Sequence, residues 1–335
     1  MKRRGYLYQE ISKKDNLLLA FHKATRGKRG RPDVVLFRAN LHENITRIQQ
    51  QLLAHQIPLG RYRFFKIYDP KERMICAAAF PERVLHHAIM NICESNFEQF
   101  SIHDSYACRK GKGVHKAINR TQYFSRRYPW FLQLDIKHYF DNIDHATLLK
   151  LLGKRFKDQE LLDLFAAIIS SYQTKPGKGM PIGNLISQHC ANLYLALFDH
   201  WVKEELRWKG YLRYMDDFLL FAPTKKVLND ALILVDRYLQ NHLGLKIKEN
   251  WRLGRCQQGI PFLGYRISPD IIRLTRASKR RFIVKLRRYQ EAWEQGRWSE
   301  NELVRHVEPL LAFIQAADTF SLRTNIVQRY GVSSE

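Results

Sequence analysis

The stretch "YLRYMDDFLLFA" (211–222) sets two adjacent aspartates, Asp216 and Asp217, inside a run that otherwise reads as two short apolar strands. An unpartnered buried carboxylate costs roughly several kcal/mol, and neighbouring like charges repel. The pattern therefore restricts the chain to folds that carry the pair to the tip of a hairpin, as a polar turn or as a site. A second apolar strand, "WFLQLDI" (130–136), also ends on a carboxylate, Asp135. If the two strands are neighbours, three carboxylates converge at one sheet edge and need cations to stay ionised. Hard divalent ions with oxygen ligands meet that need, and Mg²⁺ takes one or two carboxylates together with substrate phosphate oxygens. Two such ions about 4 Å apart would activate a 3′-hydroxyl and stabilise a pyrophosphate leaving group, which is nucleotidyl transfer.

Charge points the same way. Lys and Arg number 56 against 32 Asp and Glu, a net charge of +24. Such an excess opposes compaction unless a polyanion relieves it, so nucleic acid is the expected partner. No apolar run approaches the roughly 18 residues of a spanning helix, and the start "MKRRGYLYQEISKKDN" has no signal-like apolar stretch, so a cytoplasmic protein without membrane contact is expected. The five cysteines (76, 93, 108, 190, 256) are scattered without a CxxC pair, which argues against zinc and disulfides. His86 and His87 fall in an expected helix, where a satisfied structural role is the default.

Along the chain, residues 1–60 read as basic helices with a loop at 25–32. "RYRFFKIYDPKERMICAAAF" (61–80) reads as a basic hairpin, and 81–100 as a helix with Pro81 in its first turn. "SYACRKGKGVHKAI" (105–118) is a glycine-bracketed basic loop leading into a helix. Two amphipathic helices, the loop 173–184 and a long helix over 185–206 follow, then the Asp-Asp hairpin, a helix over 226–243 and a strand over 260–268. In the basic tail helix, Phe282, Ile283, Leu286 and Trp293 share one face.

"RYMDDFLLF" resembles the YxDD hairpin of reverse transcriptases, and the resemblance runs in order along residues 61–268. "KERMICAAAFPERVLHHAI" and "SYACRKGKGVHKAI" resemble the two fingers blocks, and "FLQLDIKHYFDNIDH" the palm block with the first catalytic aspartate. "GMPIGNLISQHCANLYL", "GLKIKENW" and "GIPFLGYRI" resemble the fourth, sixth and seventh blocks. Most relatives carry glutamine before the glycine of the fourth block and Ser-Pro after it. Here Ile182-Gly183 and Ser187-Gln188 stand instead, a pattern similar to the reverse transcriptases of diversity-generating retroelements. One departure is Trp251, which falls where many relatives carry lysine. With Lys248 and Arg252 nearby, the proton donor to pyrophosphate stays unassigned.

The resemblance implies an α+β right-hand polymerase: an N-terminal extension and fingers (1–128), a palm of antiparallel sheet backed by helices (129–272, with 146–178 supplying helices at the fingers–palm junction) and a small helical thumb (273–335). Asp135, Asp216 and Asp217 are the expected catalytic residues and, with the Ile136 carbonyl, the ligands of two Mg²⁺ ions that Mn²⁺ could replace. Lys71, Arg73, Phe140, Ile182, Gly183 and Met215 are expected to meet the deoxynucleoside triphosphate, with Lys66 a weaker candidate. Phe140 matches the aromatic that excludes a ribose 2′-hydroxyl. Arg109, Lys110, Lys112, Gln188, Tyr214, Lys285 and Arg288 are expected on template RNA or the RNA/cDNA duplex. A small basic accessory protein and cDNA errors concentrated at template adenines are further implications. The alternatives are a group II intron, retron or phage-defence reverse transcriptase, and a catalytically silent RNA-binding factor.

Overall fold

The computed structural model describes residues 5–68 and 72–330. Helices α1 (Leu7–Ser12), α2 (Lys14–Thr25), α3 (Pro32–Ala39) and α4 (Leu41–Leu53) precede a hairpin of β1 (Tyr62–Ile67) and β2 (Arg73–Ala78). Next come α5 (Phe80–Phe100), α6 (Val114–Arg127), β3 (Trp130–Asp135), α7 (His145–Gly153), α8 (Gln159–Ser170) and α9 (Leu185–His200). Strands β4 (Tyr211–Tyr214) and β5 (Asp217–Ala222) form the Asp-Asp hairpin, followed by α10 (Lys225–Leu243) and β6 (Arg252–Arg255). Strands β7 (Ile260–Phe262), β8 (Tyr265–Ile267) and β9 (Ile272–Leu274) lead to α11 (Arg276–Glu294), α12 (Glu300–Gln315) and α13 (Phe320–Tyr330). The fold is α+β with antiparallel sheets throughout. The chain divides into two compact units.

The first unit comprises the chain up to Cys108, Ile136–Trp208 and Leu234–Lys248. Two of its helices, α7 and α8, start where an aspartate accepts an orphan backbone N–H. Asp144 takes the Thr147 N–H at 2.8 Å to begin α7, and Asp158 takes the Leu161 N–H at 3.2 Å to begin α8. Each such cap stabilises by about 1 kcal/mol. Asp158 also accepts from the Tyr8 backbone at 2.8 Å, which ties α1 to α8. Phe21, Phe37 and Phe80 pack ring on ring between α2, α3 and α5. The helix expected to run from 185 to 206 changes character after His200, where Trp201–Glu205 form a π-helical turn. Trp201 there stacks on Tyr238 at 4.2 Å. The expectation of a satisfied His86 fails: its buried ring has no hydrogen-bond partner, and Glu82 Oε1 stands 3.6 Å from Nε2.

The second unit comprises Arg109–Asp135, Lys209–Ile233 and the chain from Glu249. Its main sheet has the order β4-β5-β3-β6. Leu132, Leu134, Phe218 and Leu220 pack one face completely out of solvent. Residues 252–255, which no sequence pattern marked, add the edge strand: Gly254 lies opposite Phe131, whose ring sits where a Cβ would be, 3.1 Å away. The single strand expected over 260–268 is instead a hairpin. Leu263 (φ +50°) and Gly264 (φ +90°) turn the chain back, so Phe262 pairs with Tyr265. Two successive positive φ values suit the tight turn that joins right-twisted strands. The terminal helices close on Phe282, Leu286 and Ile314. Trp293, expected on that same face, is 37% exposed, whereas its neighbour Ala292 is buried.

Candidate active site

The site begins with a register. Six residues of β3 pair antiparallel with β5, and the last pair is Asp135 with Asp217. Directly opposed residues share a face, with Cβ atoms about 5 Å apart. On this face Phe131, Leu219 and Phe221 are buried, while Gln133, Asp135, Asp217 and Tyr214 are only half-buried. The sheet is thus apolar along its length and opens to solvent at its carboxylate end. Tyr214 pairs with Asp217, which leaves Met215 and Asp216 as a two-residue turn. Met215 has φ +57° and Asp216 is not in that region, the pattern of a type II′ turn, where glycine is the usual first residue. Strain of this kind persists only where the surroundings enforce it. Part of the enforcement is Arg213, a guanidinium with only 1% exposure, whose Nη1 donates to the Met215 carbonyl at 2.8 Å.

Sequence reasoning missed two polar groups here. Arg213 is one; Gln133 is the other, and its Nε2 donates to both carboxylate oxygens of Asp217 at 3.1 and 3.2 Å. The available signal was a polar residue inside each of two apolar strands, "YLRY" and "WFLQLD".

Enzymes with this kind of carboxylate pair generally work with divalent ions, and the donor set can be tested against one. Among the described residues no three His, Cys, Asp or Glu side chains converge into a closed cage. The register sets Asp135 opposite Asp217, with Asp216 next to it on the two-residue turn. Carboxylate oxygens with open positions still fit Mg²⁺, which binds through one or two carboxylates and fills its remaining positions from water and phosphate. Ile136 is fully buried and pairs as an isolated bridge with Ile247.

The first unit gathers most of the residues expected around a nucleotide. The loop before α9 is stapled to β2, because the Cys76 N–H donates to the Ile182 carbonyl at 2.8 Å and the Ala78 N–H to Asn184 Oδ1 at 3.3 Å. Gly183 has φ +115°, and a Cβ there would lie 2.8 Å from Ile75 Cγ2, so the position is closed to other residues without a shift of the strand. Phe140 starts a single 3₁₀ turn, is half-buried, and accepts the Met180 N–H at 2.9 Å, which ties it to the same loop. Arg73 begins β2 and is exposed. Lys66 is committed to Glu72 at 2.6 Å, and Lys71 lies outside the described residues. Gln188 accepts from Cys108 Sγ at 3.4 Å.

In the second unit, Arg109, Lys110 and Lys112 form a tight loop closed by the Lys112 N–H on the Arg109 carbonyl at 3.2 Å. Gly111 (φ +70°) and Gly113 (φ +102°) make the bend, and Lys110 is exposed. On α11, Arg288 is exposed and Lys285 half-buried.

A family model described as reverse transcriptase (RNA-dependent DNA polymerase) matches residues 68–267. Protein YkfC of Escherichia coli K12 is 25% identical over 271 residues, covering 66% of this chain and 71% of that protein. The group II intron-encoded protein LtrA of Lactococcus lactis is 30% identical over 169 residues, covering 48% of this chain and only 28% of LtrA. A telomerase from Candida tropicalis, solved with a fragment of telomeric RNA, superposes with a TM-score of 0.51 at 12% identity, over 81% of this chain and 55% of the telomerase chain. That likeness supports the right-hand polymerase fold. No helix among the described residues is long and apolar enough to cross a membrane. Because the match spans well over half of the chain and includes both strands that bear the carboxylates, the chain belongs to the reverse transcriptase family of RNA-directed DNA polymerases, with homology to group II intron-encoded members.

Proposed function

We propose that this chain copies an RNA template into DNA at the Asp135, Asp216 and Asp217 carboxylates, and that it serves a diversity-generating retroelement. The observation that carries the polymerase reading is the pairing of Asp135 with Asp217 at the solvent-open end of β3 and β5. Residues 1–128 act as N-terminal extension and fingers, 129–272 as palm and 273–335 as thumb. The chemistry that two Mg²⁺ ions would supply here is activation of the primer hydroxyl and neutralisation of the leaving pyrophosphate. Asp135 and Asp216 would hold them, with Asp217 as an adjoining fixed charge and the Ile136 carbonyl as a further donor. Arg73 and Lys71 grip the triphosphate. Phe140 excludes a 2′-hydroxyl by bulk, and Tyr214 and Met215 orient the primer end and incoming nucleotide. Arg109, Lys110, Lys112, Gln188, Lys285 and Arg288 hold the RNA and the RNA/cDNA duplex by backbone and shape rather than sequence.

The retroelement reading rests on Ile182-Gly183 and Ser187-Gln188. Isoleucine offers hydrocarbon where an amide would restrain the nucleotide, and a net hydrogen bond of about 0.5–1.5 kcal/mol corresponds to roughly two- to tenfold in discrimination. A basic accessory protein confines the enzyme to its own template. The homology to LtrA favours a second reading, an intron-type enzyme without adenine bias. Sequencing of cDNA made on one RNA by wild type and by Ile182→Gln separates them. The proposal predicts errors concentrated opposite adenine and reduced there by the substitution. A uniform spectrum that the substitution leaves unmoved refutes the retroelement reading.

A further inference from the structure

Gln133 stands in the middle of a strand whose other members are Trp130, Phe131, Leu132, Leu134 and Asp135. A half-buried amide in that setting is unfavourable unless its hydrogens are used. They are used on one partner only among the described hydrogen bonds: Nε2 spans the two oxygens of Asp217 at 3.1 and 3.2 Å. The register explains how it reaches. Gln133 pairs across the sheet with Leu219, two residues beyond Asp217 on the same face, so the amide extends along the diagonal towards the carboxylate end.

We infer that Gln133 is a positioning residue that fixes Asp217 beside Asp135 and so sets the geometry of the carboxylate pair. The inference rests on the role given to the carboxylates under Proposed function. Its chemistry follows from what an amide supplies. Two facing carboxylates repel, and the amide on both oxygens opposes any turn of Asp217 away from Asp135. A lysine or arginine at 133 would hold Asp217 but add a cation that competes with metal. An apolar residue would hold nothing. The glutamine N–H₂ brings the positive end of a dipole to both oxygens, adds no charge and donates at every working pH. Asp217 is thereby held as a fixed anion at the edge of the pair, and Asp135 keeps a constant neighbour. Metal sites elsewhere depend on such supporting hydrogen bonds, and loss of one typically costs 10–100-fold in metal affinity or activity.

The test compares wild type with Gln133→Met, which keeps length and removes both donors, and with Gln133→Asn, which keeps the amide one methylene short of its partner. Mn²⁺ alone is titrated into the protein without nucleotide and followed by electron paramagnetic resonance. Primer extension at saturating metal then gives kcat and KM for the nucleotide. The expected result for Gln133→Met is Mn²⁺ binding weakened about tenfold or more and kcat lowered to match, with KM within about twofold. Gln133→Asn should show the same direction, and it carries the test if the methionine variant fails to fold. Mn²⁺ affinity and kcat within twofold of wild type in a folded variant overturn the inference. Asp135→Asn and Asp216→Asn run alongside. If they bind Mn²⁺ and extend primers normally, the assignment of the carboxylates falls and takes this inference with it; if they fail while Gln133→Met behaves as wild type, only the positioning role falls.

Discussion

Replacing Glu82 with glutamine should stabilise the protein at neutral and alkaline pH while changing little near pH 4.5. Glu82 lies in the first turn of α5 and is 3% exposed. One oxygen accepts the Gly60 N–H at 3.1 Å; the other has no hydrogen-bond partner and faces the buried His86 ring. Burial pushes the Glu82 carboxyl up to about 7 from 4.5, against the pull of the Gly60 N–H and of the Tyr62 hydroxyl. Burial drives His86 the other way, down to about 3, with the charge of His87 adding to the effect. The two groups act in different windows. Glu82, raised in the folded state, contributes stability that is complete below pH 4.5 and is lost as pH climbs through 7. His86, depressed, contributes stability present above pH 6.5 and lost as pH falls towards 3. At about 1.4 kcal/mol per pH unit, the rise from 4.5 to about 7 sets a ceiling of about 3–4 kcal/mol on what the wild type forfeits by pH 8. Glutamine carries no charge, keeps an acceptor for Gly60, and leaves the His86 contribution common to both proteins. Urea denaturation of wild type and Glu82→Gln at intervals from pH 4.5 to 8.5 measures the difference. It should grow with pH from near zero to between about 1 and 3 kcal/mol. A difference constant across pH, or a variant weaker than wild type at pH 8, refutes the reasoning.

Gly183→Ala should cost about 1–3 kcal/mol of stability, because alanine disfavours φ +115° and its Cβ would press on Ile75 Cγ2. The displaced loop should also raise KM for the nucleotide, and urea melts with steady-state extension check both effects. Phe140→Ala should let ribonucleotides compete better with deoxynucleotides, since a ring excludes a hydroxyl by bulk. Competitive extension reads the ratio, and an unchanged ratio returns Phe140 to a packing role.

Much of this fold can be read from local pattern, and the rest cannot, for identifiable reasons. β3, the Asp-Asp hairpin, α5 and α11 follow from apolar runs and periodicity bounded by proline, glycine or charge. β6 escapes because "RLGR" is short, charged at both ends and holds a glycine, and its strand conformation comes from pairing with β3. The β7–β8 turn escapes because Leu263 adopts a left-handed conformation that leucine seldom takes. The aspartates could be named from sequence, but which one faces Asp135 is a matter of register, fixed only when two strands about 80 residues apart align. Gln133 and Arg213 were visible as polar residues in apolar strands, yet their partners belong to the tertiary structure.

The central claim is that Asp135 and Asp216 carry RNA-templated DNA synthesis, and primer extension on a short RNA template with Mg²⁺ tests it most directly when paired with RNA binding on the same proteins. Asp135→Ala and Asp216→Ala should each lower the extension rate by about 10³-fold or more, because positioned charge and metal binding are typically worth several kcal/mol in the transition state. RNA affinity should stay within about twofold of wild type, since neither carboxylate contributes to holding a polyanion. Extension near the wild-type rate by either variant, with RNA binding intact, would contradict the account.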